Sequence, residues 1–106
     1  MTRRTNRAGE GHRLLRLEQL LLEELKTVFA DELTDRRLES VRPFAVTLSP
    51  DYRHARVHCL VEASPVPRAE LDRALSRAAV FLRTRVADSI ELKRVPELNF
   101  VLDSSG

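Results

Sequence analysis

The sequence predicts a single α+β domain in which helix, strand, strand, helix and strand follow one another. Three observations lead there. Apolar residues recur at helical spacing from Leu14 to Val28. Two blocks of alternating residues then flank the turn-forming stretch Ser49-Pro50-Asp51-Tyr52-Arg53. A second helical stripe follows, and after it one more alternating block near the C-terminus.

Taken in order, residues 1–11 show no periodicity and hold Arg3, Arg4 and Arg7, so they read as a flexible basic arm. From His12 the stripe Leu14, Leu17, Leu21, Leu25 and Val28 predicts an amphipathic helix over 12–31, flanked by Leu22 and Phe29. Its outward side is expected to carry Glu18, Glu23, Glu24 and Lys26. Asp35-Arg36-Arg37-Leu38 forms the connecting turn. Phe44, Val46 and Leu48 alternate with Ala45 and Thr47, which predicts a strand at about 43–49. Pro43 sits at its start, where a missing amide donor does least harm. A second strand at about 54–62 places Ala55, Val57, Cys59 and Val61 on one face and Arg56 and His58 on the other, completing a hairpin. Ser64-Pro65-Val66-Pro67 breaks the chain, and a helical region begins near Pro67, a residue tolerated in the first turn. Leu98, Phe100 and Leu102 form the last strand after Val95-Pro96.

The second helical region contains a conflict. At about 100° per residue, Leu71, Ala74, Leu75 and Ala78 share one direction, while Leu82, Val86 and Ile90 centre roughly 70° further round. On one straight helix Arg85 would project through the earlier stripe. A bend or break near Ala79-Val80 would reorient the second half, so two helices with a kink are expected. The alternative is a straight helix with Arg85 extended past the core to solvent.

At 106 residues the chain suits one domain and buries roughly two-thirds of its unfolded surface, enough for a core without staples. Cys59 is the only cysteine, so an intramolecular disulfide is impossible, and its valine neighbours mark a buried small hydrophobe. No apolar run approaches a membrane span and no signal peptide opens the chain, so a cytoplasmic protein is expected. The net charge of +2 is unevenly laid out. Residues 1–16 carry +4, including Arg13 and Arg16, residues 17–39 carry −4, and residues 67–94 carry +3. Two basic blocks suit a polyanion, although an arginine-rich surface also suits an ordinary solvated face.

No catalytic constellation stands out. His12, His54 and His58 are scattered without metal-ligand spacing, and three glycines build no phosphate loop. Asp31, Glu32, Asp35 and Glu39 read as a solvated face at a helix end rather than a carboxylate site. An enzyme, a metal and a cofactor are therefore not expected, nor a small-molecule substrate. Phe29, Phe44, Phe81 and Phe100 all fall on apolar faces, leaving only Tyr52 free, so stacking on an aromatic platform is not expected. Arginines would instead engage phosphates and the shape of a folded RNA.

The order of elements resembles a type II KH-like domain, a three-stranded sheet with helices on one face. Val46-Thr47-Leu48-Ser49-Pro50-Asp51-Tyr52, continuing to Ala55-Arg56-Val57, is similar to the hairpin of the ribosome-binding factor A family. So is Arg94-Val95-Pro96-Glu97-Leu98-Asn99-Phe100, followed by Asp103-Ser104-Ser105, and the Asp35-Arg36-Arg37-Leu38 turn resembles that family's turn after its first helix. In that family a helix-kink-helix carries Ala-x-Gly, and the matching positions are Ala78, Ala79 and Val80. Val80 departs from the pattern, since a β-branched residue disfavours the dihedrals glycine permits.

The resemblance implies a monomeric accessory factor that binds the free 30S subunit and 16S rRNA late in maturation and rRNA processing, near the decoding region, and leaves before translation. On that reading residues 12–103 are the RNA-binding domain and 104–106 a short tail. The expected RNA contacts are Arg3, Arg4, Arg7, Arg13 and Arg16 from the N-terminal block. Arg73, Arg77, Arg83, Arg85, Lys93 and Arg94 are expected from the second. The alternatives are a KH-like domain for another RNA, or a protein–protein adaptor docking through the acidic first helix.

Overall fold

The computed structural model describes residues 8–90, 92 and 94–104. Arg3, Arg4, Arg7 and Lys93 lie outside the described residues. Helix α1 (Ala8–Asp31) starts four residues before the expected His12, so Ala8–Gly11 belong to the helix rather than to the arm. Its stripe drives Leu21, Leu25 and Val28 to full burial, and Leu14, Leu17 and Phe29 pack at the margin. The helix ends where the amides of Glu32 and Leu33 both donate to the Val28 carbonyl.

The connecting turn is a short 3-10 helix, Arg36–Leu38, capped by Asp35, whose side chain accepts the Arg37 amide at 3.0 Å. Leu38 is buried beneath it. Strands β1 (Val41–Leu48) and β2 (His54–Val61) pair antiparallel. Ser49 to Tyr52 close a turn in which the Tyr52 amide donates to the Ser49 carbonyl. Tyr52 adopts a φ of 65°, a left-handed conformation held by the side chains around it. The Asp51 carboxylate accepts from the Ser49 hydroxyl at 2.6 Å and from the Arg53 amide at 3.0 Å.

Helix α2 (Arg68–Ser89) then carries the chain across the sheet, because β3 (Glu97–Ser104) runs parallel to β2 and a parallel neighbour needs a crossover. The strand order is β1-β2-β3, with β1 and β3 at the edges. Both helices cover one face, where Ala55, Val57 and Cys59 of the central strand are fully buried. Phe29 meets Phe100 at a centroid distance of 6.3 Å. The opposite face is open, and Arg42, Thr47, Arg56 and Asn99 are exposed on it.

Two expectations are corrected here. The break near Ala79-Val80 is absent, and Arg68–Ser89 is one uninterrupted helix. No glycine or proline interrupts those residues, and Arg85 leaves the core margin through an ion pair with Glu32. Its Nε and Nη2 donate to the two carboxylate oxygens of Glu32 at 2.7 and 2.8 Å. The second correction is Phe44. The pairing steps from Pro43–Cys59 to Ala45–His58, so Phe44 is the extra residue of a β-bulge. One inserted residue inverts side-chain parity, which turns Phe44 out onto the open face at 49% exposure while Val46 and Leu48 stay buried. There its ring lies 6.2 Å from that of His58.

Candidate nucleic-acid interface

The outer ridge of α2 is built by spacing. Arg73, Arg77, Val80 and Thr84 follow one another at steps of four, three and four residues, so all four point away from the buried stripe Leu71, Ala74, Leu75, Leu82 and Val86. Arg73 and Arg77 are exposed and make no ion pair among the described residues. Val80 is 73% exposed between them and Thr84. Two guanidinium groups without an ion pair on one helix suit phosphate oxygens, which the planar fork meets in bidentate geometry.

The remaining expected contacts divide. Arg83 is exposed on the flank of α2 and donates to the Val95 carbonyl at 3.3 Å, which brings it beside Arg94, also exposed. Arg13 and Arg16 are exposed in the early turns of α1. Arg85 does not belong to the ridge. Both its side chain and that of Glu32 are about two-thirds covered, and the pair clamps α2 to the end of α1. The guanidinium holds the Glu32 carboxyl below its usual range, chiefly through the direct hydrogen bond. Asp35 is likewise lowered, first by the Arg37 side chain, then by the Arg37 amide and, more weakly, by the charge of Arg77.

The acidic side of α1 differs from expectation. Glu18 is not an outward residue, because its carboxylate accepts the Leu48 amide of β1 at 2.8 Å. Glu24 accepts the Ser89 hydroxyl at 2.8 Å, which joins the two helices near the C-terminal end of α2. Of the described charged side chains from Glu18 to Asp31, Glu23, Lys26 and Asp31 stand exposed. Phe81 also departs from the reading of an aromatic on an apolar face, at 41% exposure beside Val80. Its place at the margin of the stripe was the available signal, and its hydrophobicity hid it. Cys59 is fully buried, and desolvation pushes its thiol up to about 12, so it is a packing residue rather than a nucleophile.

Among the described residues no group of three or more His, Cys, Asp and Glu side chains is placed to hold a metal ion. No described helix is long and apolar enough to cross a membrane.

Known proteins resemble this arrangement along nearly its whole length. The family described as Ribosome-binding factor A matches residues 13–106. The ribosome-binding factor A of Heliobacterium modesticaldum is 39% identical over 95 residues, covering 90% of this chain and 78% of that one. The crystal structure of ribosome-binding factor A from Thermus thermophilus superposes with a TM-score of 0.74 at 29% identity, over 84% of this chain and 93% of that one. A Thermus thermophilus ribosome-binding factor A fitted into the cryo-EM map of a 30S complex gives a TM-score of 0.57 at 32% identity, over 77% and 90% of the two chains.

Proposed function

The chain belongs to the ribosome-binding factor A family, and we propose that it binds the free 30S subunit through 16S rRNA during late maturation and rRNA processing. On this reading it works in the cytoplasm as a monomer, near the decoding region, and leaves before translation starts. It acts by binding, with no reaction of its own and no cofactor. The observation that carries the proposal is the pair of unpaired arginines, Arg73 and Arg77, on the outer ridge of α2. That ridge includes Val80, the last of the three positions Ala78-Ala79-Val80 that match the family's kink. Arg83 and Arg94 extend the basic surface along one flank, and Arg13 and Arg16 add a second patch on α1. Lys93 and the arm residues Arg3, Arg4 and Arg7 belong to the same proposed contacts.

An adaptor docking through an acidic α1 is less well supported. Glu18, Glu24 and Glu32 are engaged within the fold, which leaves few carboxylates to present. The test is the distribution of tagged protein across a sucrose gradient of a cell lysate. It should follow free small subunits and be depleted from polysomes. A profile confined to polysomes, or free of every ribosomal peak, contradicts the proposal.

A further inference from the structure

Beside the arginine ridge, α2 meets the end of α1 across a groove of about 260 Å³ lined by Glu32, Leu33, Asp35, Arg77, Ala78 and Phe81, among others. Its origin is a run of small residues. Ala74 and Ala78 stand one turn apart and leave room that larger side chains would fill, and Phe81 closes the end of that room one turn later. Phe81 is 41% exposed beside that open groove, next to the still more exposed Val80. Arg77 sits on the rim without an ion pair among the described residues.

We infer that this groove is a socket for a single unpaired RNA base bearing an exocyclic amino group, stacked on Phe81 with its phosphate held by Arg77 and Arg73. The inference rests on the RNA-binding reading above and deepens it. A groove of this volume accommodates one ring system. An aromatic face beside a cation is the pairing that single-stranded nucleic acid uses, since every base has a π-face and every nucleotide a phosphate.

The polar wall selects among bases. Glu32 and Asp35 are each neutralised by an arginine, Arg85 and Arg37, so the wall is not a repulsive anionic surface toward RNA. A carboxylate nonetheless has about four acceptor sites and no donor, so lone pairs remain beyond those the arginines use. Adenine, guanine and cytosine offer amino donors to such a wall, whereas uracil offers only its ring N–H.

The probe is a uridine decamer with one central 2-aminopurine, which carries an amino donor and loses fluorescence when it stacks. The full chain should quench it and bind it about tenfold more tightly than the all-uridine decamer. Phe81→Leu should lose the quenching and about tenfold in affinity, within the range that base–aromatic stacking supplies. Phe81→Trp should keep both. Quenching by Phe81→Leu equal to that of the parent overturns the socket. If the parent binds small subunits but leaves the fluorescence unchanged, the socket fails while the ribosomal reading stands; if it binds neither, both fail. With Phe81→p-benzoylphenylalanine, irradiation on the small subunit should crosslink to rRNA. A crosslink to a ribosomal protein makes the groove a protein dock and refutes the base socket.

Discussion

Helices α1 and α2 pack on the same face of one sheet, are 24 and 22 residues long, and carry net charges of −2 and +2. Two carboxylates of α1, Glu18 and Glu24, meet the fold's own donors, while Glu23 and Asp31 stay exposed. Glu18 holds the Leu48 amide, Glu24 the Ser89 hydroxyl, and Glu32, just past the helix, the Arg85 guanidinium. The arginines on the outer ridge of α2 hold nothing among the described residues. Charge of similar density thus joins elements on one helix, and on the other its proposed job is to meet a polyanion. A net charge taken from sequence does not distinguish these jobs; only the presence or absence of an internal partner does.

The comparison predicts that charge changes on the two helices will separate stability from binding. The largest effect falls on α2. Arg73→Glu with Arg77→Glu should lower small-subunit affinity by about a hundredfold, since two attractions become two repulsions. Its melting temperature should stay near the parent's, because exposed charges contribute little to folding. A comparable loss of thermal stability would place these arginines in the fold instead.

Next is Glu18→Ala, which removes the acceptor of a part-buried amide. A hydrogen bond to a charged group contributes about 1.5–3 kcal/mol, so the melting temperature should fall by roughly 6–24 °C. Affinity at a temperature where the variant is folded should match the parent's. An unchanged melting curve would mean that the Leu48 amide finds water as readily as Glu18.

A smaller effect concerns acid. Glu32, Asp35 and Asp51 are all held below their ordinary values of 4.5, 3.8 and 3.8. A carboxyl lowered in the folded state contributes stability above its unfolded value and loses it as pH falls through the lowered one. Stability should therefore be nearly level from pH 7 to 5 and decline below about 4.5. Glu32→Gln should melt lower than the parent at pH 7, and the gap should narrow as pH falls below about 4.5. A gap that does not narrow at any acid pH down to the unfolding of the parent would show that the Arg85 clamp does not depend on the Glu32 charge. The smallest effect is Glu23→Gln, on an exposed carboxylate of α1, which should alter neither melting nor subunit binding measurably.

How much was legible follows the same division. The stripe of α1, the Ser49–Arg53 turn and the inward set Ala55, Val57, Cys59 and Val61 are local periodicities, and they appear in the fold as read. The order of elements and the resemblance carried by the hairpin and the Arg94–Phe100 segment also hold. What was not legible depends on a partner far along the chain. Glu18 reads as outward in the sequence because its acceptor role is set by an amide thirty residues away. The parity of Phe44 depends on how β1 meets β2, which the alternation within β1 cannot reveal. The expected kink comes from treating Arg85 as a conflict, when Glu32 resolves it from 53 residues away. Among the proposed contacts, Arg73, Arg77 and Arg83 are exposed on the side where the wheel puts them. Arg85 is instead clamped within the fold, since a helical wheel shows direction but no neighbour.

The most direct test is the salt dependence of small-subunit affinity for the parent and for Arg73→Glu with Arg77→Glu. Each phosphate contact contributes roughly 0.7–0.9 to the slope of log affinity against log salt. The parent should decline steeply, and the variant should show a slope shallower by about 1.4–1.8. Equal slopes for the two proteins would show that the outer ridge of α2 touches no phosphate.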